Sequence, residues 1–318
     1  VDQEAKVLIV GDLLIDRTYY VDVSKLSPEA PVPVAMLTGD PIDTPGGAGL
    51  AAAFTAIDKI PAIFGTYASL DTSLWVNKQY NIPVIHPQIY SGDLNAIKTR
   101  YIDNERHYHL IRVDSDNIVS IPFDSEDKDI EYEWFNEIED AIKHRSIKVL
   151  AILDYRKGLL NEARSQRLIN IARKASIPVY VDSRSKNLSI FKGANILKLN
   201  ANEFKEACHI LNCYTPNGKP NPQAIISSLQ LDCLIITNGA EGAEYHMTGK
   251  HPPSPYKISA PKCQGSPDVT GCGDVFDITF CYNWGIKNKG IEESLKLAVN
   301  RATQFAYEPL GERLKWQK

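Results

Sequence analysis

Between residues 147 and 237 four apolar runs each end on a polar residue: Ile147-Lys-Val-Leu-Ala-Ile-Leu153 on Asp154, Val179-Tyr-Val181 on Asp182, Ile196-Leu-Lys-Leu199 on Asn200, and Cys233-Leu-Ile-Ile236 on Thr237. Such runs mark strands buried on both faces, and helical stretches such as 161–175 between them force parallel pairing. The expected fold is therefore α/β: a doubly wound, mostly parallel sheet flanked by helices, with the polar strand ends gathered at one edge, where such sheets bind ligands. Lys6-Val-Leu-Ile-Val10, ending at Gly11-Asp12, reads as another buried strand. A strand, a helix and a strand follow from Ala62 through Val84, and Ser125 to His144 reads as an amphipathic helix.

Two stretches break this rhythm. Thr18–Val23 and Val32–Leu37 are β-rich with no helix between them, and Ala96–Ile102 and His107–Val113 flank the polar turn Asp103-Asn-Glu-Arg106. Residues 17–38 and 95–114 are thus expected to form two hairpins of one small β-sheet lid, within a single domain over residues 1–318. A sheet over a cleft excludes water, which matters wherever water competes with a substrate. Its exposed edges also suit pairing with a second copy, so a homodimer through the lid is a further expectation.

The strongest chemical signal is Asp268-Val-Thr-Gly-Cys-Gly-Asp274, which runs directly into the apolar helical stretch from Val275. Glycines opening a helix turn several N–H groups toward an anion, aided by the helix dipole. Asp274 in the first turn is placed to take a proton from a hydroxyl while the amides of Gly271, Cys272 and Gly273 stabilise a transferring phosphoryl group. An ordinary loop and helix-capping acid is the alternative reading of the same residues. Pro45-Gly46-Gly47-Ala48-Gly49 likewise opens a helix, to about Lys59, where glycines admit a ligand to the backbone, with a plain helix-entry loop as the alternative. Asp12 and Asp16 are candidates to accept bonds from sugar hydroxyls, with Asp12 equally readable as a turn acid. Asn200-Ala-Asn-Glu203 fits outer-sphere orientation of Mg²⁺ or a capping box, and the residues alone favour the cap. Thr237-Asn-Gly-Ala-Glu-Gly242 fits a phosphate loop or a hairpin bend. His107 and His109 are expected on one face of a strand, as structural polar residues rather than as metal ligands.

The net charge of −4 with no long basic run argues against nucleic acid as a partner. No apolar stretch approaches the roughly 18 residues of a membrane span, so a cytoplasmic protein without membrane contact is expected. The six cysteines show no Cys-x-x-Cys spacing, and reduced thiols follow. The proline cluster Pro252 to Pro255 reads as a surface connection.

Taken in order, Gly11 to Asp16, Gly46-Gly47-Ala48, Asn200-x-x-Glu203, Thr237-x-Gly239-x-x-Gly242 and Asp268-x-Thr270-Gly-x-Gly-Asp274 resemble the ribokinase (PfkB) family of sugar kinases over nearly the whole chain. Ser27-Pro-Glu-Ala-Pro-Val-Pro-Val34, Leu110-Ile-Arg-Val-Asp114 and Asp154-Tyr-x-Lys-Gly158 look like the members that phosphorylate D-glycero-β-D-manno-heptose 7-phosphate at its anomeric hydroxyl. The resemblance implies Asp274 as the base and the amides of Gly271 to Asp274 as an anion hole. It further implies Asp16, Gly46 and Gly47 on the sugar, Asn200 and Glu203 organising Mg²⁺ through water without direct metal ligands, and Thr237, Gly239, Gly242, Asp268 and Thr270 on the ATP side. For a substrate already bearing phosphate, Lys98, Arg100, Arg112 and Lys157 are candidates to hold it, with solvated lid charges as the alternative. An activating monovalent cation stays open. The expected form is a stand-alone kinase without the nucleotidyltransferase often fused to it. Two departures leave other sugar or nucleoside acceptors open, and also a non-catalytic binding protein: Leu50 stands where the family has a sugar-contacting Asn, and Cys272 where it has Ala or Gly.

Overall fold

The computed structural model describes residues 4–86, 96–115, 128–184, 186–249, 255–265 and 267–308. The chain enters on β1 (Lys6–Gly11) and turns into the long β2 (Leu13–Leu26), followed by β3 (Pro33–Leu37) and β4 (Ile42–Gly47). Then come α1 (Ala48–Ile57), β5 (Ala62–Gly65), α2 (Leu70–Tyr80), β6 (Val84–Ile85) and the hairpin β7 (Ala96–Asp103) and β8 (His109–Ser115). Helices and strands then follow as α3 (Lys128–His144), β9 (Ile147–Asp154), α4 (Glu162–Lys174), β10 (Val179–Ser183), β11 (Ile196–Asn200), α5 (Ala201–Ile210), α6 (Pro222–Leu229) and β12 (Cys233–Thr237), an alternation broken where only a 3-10 turn (Leu188–Phe191) joins β10 to β11 and where α5 runs on to α6 without a strand. The described chain closes with β13 (Ala243–Met247), β14 (Tyr256–Ile258), α7 (Cys272–Cys281) and α8 (Ile291–Tyr307).

The main sheet has nine strands in the order β14-β13-β12-β11-β10-β9-β1-β5-β6. It is parallel from β12 to β6, with β13 and β14 added antiparallel. The expected doubly wound arrangement is thus present. One apolar core lies between the sheet and α3 to α6, built on Phe135, Ile138, Leu168 and Ile225; the other lies beneath α1, α2, α7 and α8, built on Phe64, Tyr180, Phe280 and Leu295. Because the central strands feed both cores, their sequences carry no polar alternation. Helix starts follow local chemistry: the side chain of Asn161 accepts from the Arg164 amide at 2.9 Å, and Asn221 caps α6 ahead of Pro222.

The lid is a second sheet in the order β3-β2-β7-β8, with β2 and β7 parallel and each hairpin antiparallel. The two distant hairpins therefore join as expected. A strand not anticipated, β4, pairs with β2 and delivers the chain to α1. His107 corrects another expectation: with φ of 57° it sits in the turn before β8, so it shares no strand face with His109. Residues 125–127 of the expected helix and most of the proline cluster at 252–255 lie outside the described residues. Among the described residues all six cysteines are free, with Cys208, Cys213, Cys233 and Cys281 buried, and no helix is long and apolar enough to cross a membrane.

Candidate active site

Strands β1, β9, β10, β11 and β12 end along one edge of the sheet, and α7 begins there, between two cavities. Gly271 is the N-cap of α7 with φ of 79°, a conformation that favours glycine, and a Cβ there would meet Leu50 Cδ2 and Phe54 Cζ at 3.3 Å. No side chain caps this helix start, so its amides can serve an anion. Cys272 and Gly273 line the larger cavity, about 470 Å³, together with Lys198, Asn200, Thr237 and Gly239 and an apolar wall that includes Phe276 and Val299. A smaller cavity of about 120 Å³ lies beneath the lid, lined by Asp16, Thr44, Arg100, Leu50, Asp268 and Thr270.

Asp274 sits in the first turn of α7 and is 6% exposed. Its Oδ1 accepts a 2.5 Å hydrogen bond from the Tyr155 hydroxyl, which arrives from the end of β9. Burial raises the Asp274 pKa to about 6, against the Tyr155 bond and Lys198, which lower it. A carboxylate tuned there is ionised at neutral pH yet basic enough to take a proton. Beneath it lies a buried charged group: Lys198 Nζ on β11 bonds Asp182 Oδ2 at 2.6 Å and Asp277 Oδ1 at 3.1 Å, and Tyr180 donates to Asp277 at 2.7 Å. Burial pushes the Lys198 pKa down, and the two carboxylates more than reverse this, so the ammonium stays charged. Burial, reinforced by Asp182, raises the Asp277 pKa well above the usual carboxylate range.

No family model matches the chain. Bifunctional protein HldE of Yersinia enterocolitica is 30% identical over 276 residues, covering 86% of this chain and 54% of that protein. The chain spans about half the length of the curated relatives it matches. The ribokinase of Arabidopsis thaliana, solved with ribose and ATP, superposes with a TM-score of 0.68 over 95% of this chain and 93% of its own, at 14% identity. The chain has the ribokinase fold. Phosphofructokinase-2 from Escherichia coli, solved in complex with potassium, shares it with a TM-score of 0.70 over 98% of this chain and 94% of its own, at 16% identity.

Within this ribokinase fold the sequence-derived residues fall into three groups. Asp274, Gly271, Cys272 and Gly273 form the start of α7, and Thr237, Gly239 and Asn200 line the larger cavity. Asn200 and Glu203 make a capping box: Asn200 Oδ1 accepts from the Asn202 and Glu203 amides, and Glu203 Oε2 accepts from the Asn200 amide at 2.7 Å. Asp16 faces the lid-side cavity paired with Arg100 at 2.8 Å, and Gly46 lets that carboxylate lie against the backbone, since a Cβ there would meet Asp16 Oδ2 at 2.6 Å. Gly47, with φ of 60°, backs onto Leu14, Asp12 and the Tyr155 ring.

Other residues stand elsewhere than expected. Asp12 is the turn acid of its alternative reading: buried, it accepts from the Tyr155, Lys157 and Leu159 amides at 2.9–3.1 Å and so clamps the loop that carries Tyr155. Burial, then repulsion from Asp154, raises its pKa to about 6. Asp268 and Thr270 do not line the larger cavity with Thr237 and Gly239. They line the lid-side cavity, with the Asp268 side chain accepting from the Thr270 amide. Gly242 is required by packing, since a Cβ there would stand 2.1 Å from the Ile258 carbonyl oxygen; of that loop's two glycines, Gly239 is the one in the cavity wall. Arg112 is exposed and bonds Asp114, whereas burial lowers the Lys98 pKa, with Asp16 opposing and Arg184 and Lys157 adding to the fall. Lys98 and Lys157 therefore share a field with Arg184, a residue missed in the sequence, whose guanidinium lies 4.3 Å over the Tyr155 ring. Tyr155 lies inside the quoted Asp154-Tyr-x-Lys-Gly158 motif without a role assigned to it there, whereas Arg184 and the Lys198 group lie in no quoted motif; the visible signal for the latter was a lysine inside the apolar run Ile196-Leu-Lys-Leu199.

Proposed function

We propose that the protein is an ATP-dependent carbohydrate kinase whose acceptor is a sugar phosphate, most specifically a heptose 7-phosphate phosphorylated at its anomeric hydroxyl. The carrying observation is the start of α7 with a buried, ionisable Asp274, set between the larger cavity and a cavity under the lid whose largely apolar lining carries the Asp16–Arg100 pair. The larger cavity takes the nucleotide and the lid-side cavity the sugar. Asp274 accepts the proton as the acceptor O–H bond breaks; the freed oxygen bonds the γ-phosphorus while the bond from that phosphorus to the bridging oxygen breaks, releasing ADP. The amides at the start of α7 meet the charge on the transferring group.

Support for the acceptor class comes from the heptose kinase-like motifs, from similarity to HldE proteins, and from Lys98, Lys157 and Arg184, which suit an anionic group. The capping box fixes Asn200 and Glu203 so that their remaining lone pairs orient water, which fits an Mg²⁺ that keeps its hydration. Mg²⁺ there supplies charge neutralisation at the phosphate oxygens. The test is ADP release from Mg-ATP across heptose 7-phosphates, hexose phosphates, pentoses and nucleosides, with heptose 7-phosphate expected to give the highest kcat/KM. A second reading, another sugar acceptor, is favoured by Leu50, which brings an apolar side chain into the lid-side cavity. A different acceptor preferred at least tenfold would select it.

The lid also supports a homodimer. All seven residues of β8 are exposed, and Leu110, Ile111, Val113, Met36 and Leu37 lie open on the same sheet. Sedimentation at micromolar protein is expected to show a dimer, reduced to monomer by Ile111→Asp; a wild-type monomer removes the proposal.

A further inference from the structure

The Tyr155–Asp274 contact deepens the kinase reading and rests on it. Tyr155 is held from several sides: Asp12 binds its backbone amide, Gly47 lies against its ring, Arg184 stacks on it, and its hydroxyl ends on Asp274 Oδ1. Among the described residues no hydrogen bond reaches Asp274 Oδ2. Burial, and then the neighbouring carboxylate, raise the Tyr155 pKa well above its ordinary value, so the phenol remains a donor at any pH where the carboxyl titrates.

We infer that Tyr155 is the positioning residue of the base: it fixes Oδ1, turns Oδ2 to the acceptor hydroxyl, and favours the ionised carboxylate that accepts the proton. A hydrogen bond donated to the charged form is the contribution that opposes burial at this site. The other groups facing Asp274 are Lys198 from β11, and Asp182 and Arg184 from the end of β10; Lys198 and Arg184 favour ionisation and Asp182 opposes it. None of these three donates a hydrogen bond to the carboxylate, whereas Tyr155 does.

The test is Tyr155→Phe, which keeps the ring and its stacking and removes only the donor. Turnover in the wild type should rise through pH about 6 and level off as Asp274 ionises. In the variant that limb should move up by about one pH unit, giving roughly a tenfold loss near pH 6 that narrows above pH 8, with the sugar KM within about threefold. A purely structural role would lower turnover equally at all pH. The carboxyl ¹³C shift of Asp274, assigned by its absence in Asp274→Asn, gives a readout that needs no turnover, and its midpoint should rise in the variant. A limb and a midpoint that both stay in place, or a variant faster than wild type, overturn the inference while leaving the kinase reading intact. A shifted midpoint in a protein that turns over no acceptor would instead overturn the kinase reading and keep the contact.

Discussion

Asp274→Asn is expected to lower turnover by at least about a hundredfold, the usual contribution of a general base, while ATP affinity changes by less than about threefold. The separation follows from geometry: the cavity proposed for the nucleotide is walled by Phe276, Val299, Thr237 and Gly239, whereas Asp274 points to Tyr155. The same change should leave the fold as stable as before, or more so. Because the folded pKa is raised, from 3.8 to about 6, the protonated carboxyl is the form the fold favours. Stability from this group is therefore full below pH about 4 and is lost as pH rises through about 6. At neutral pH the ionised acid costs on the order of 3 kcal/mol that a neutral amide does not. Steady-state kinetics with urea denaturation at pH 7 check both halves. An inactive variant that is also strongly destabilised would point to a structural role for Asp274.

Lys198→Met should cost about 3–5 kcal/mol, the range for removing one partner of a buried ion pair. The ammonium sits between Asp182 and Asp277, and without it two carboxylates face each other beneath the start of α7. Asp277 already titrates above the usual range, so the loss should be largest near neutral pH and shrink as acid protonates the pair. Urea midpoints of the variant at pH 5 and pH 8 measure this. Adding Asp182→Asn and Asp277→Asn to Lys198→Met should recover much of the loss; no recovery would mean that the ion pairs do not account for the effect and that other contacts of the lysine, such as the ammonium over the Phe276 ring at 5.8 Å, do.

What could be read in the sequence was whatever a single segment encodes. Apolar runs buried on both faces have no competing interpretation, so the five strands that build the site edge were legible from composition and punctuation alone. The lid was legible because two β-rich stretches lacked any intervening helix. β4 was not, since Ile42-Asp-Thr-Pro-Gly-Gly47 carries turn chemistry, and a proline is tolerated there because β4 pairs with β2 alone. The role of Asp12 depends on amides about 145 residues away, and that of Gly242 on a strand that follows it, so neither can be derived locally. Asp268 and Thr270 fall beside residues of the other cavity in sequence, yet the N-terminus of α7 divides them in space. Tyr155, Arg184 and Lys198 meet Asp274 only after β9, β10 and β11 align, which makes the most informative contacts of the site the least visible ones.

In the proposed kinase, α7 presents a base to an acceptor hydroxyl with ATP on its other side. The most direct test of this arrangement is ³¹P NMR of the wild-type protein mixed with Mg-ATP and D-glycero-β-D-manno-heptose 7-phosphate. The expected result is a new phosphate resonance at the anomeric position, growing in step with ADP and absent with Asp274→Asn. ATP that binds but is never consumed, with this acceptor or with any sugar of the panel, would contradict it.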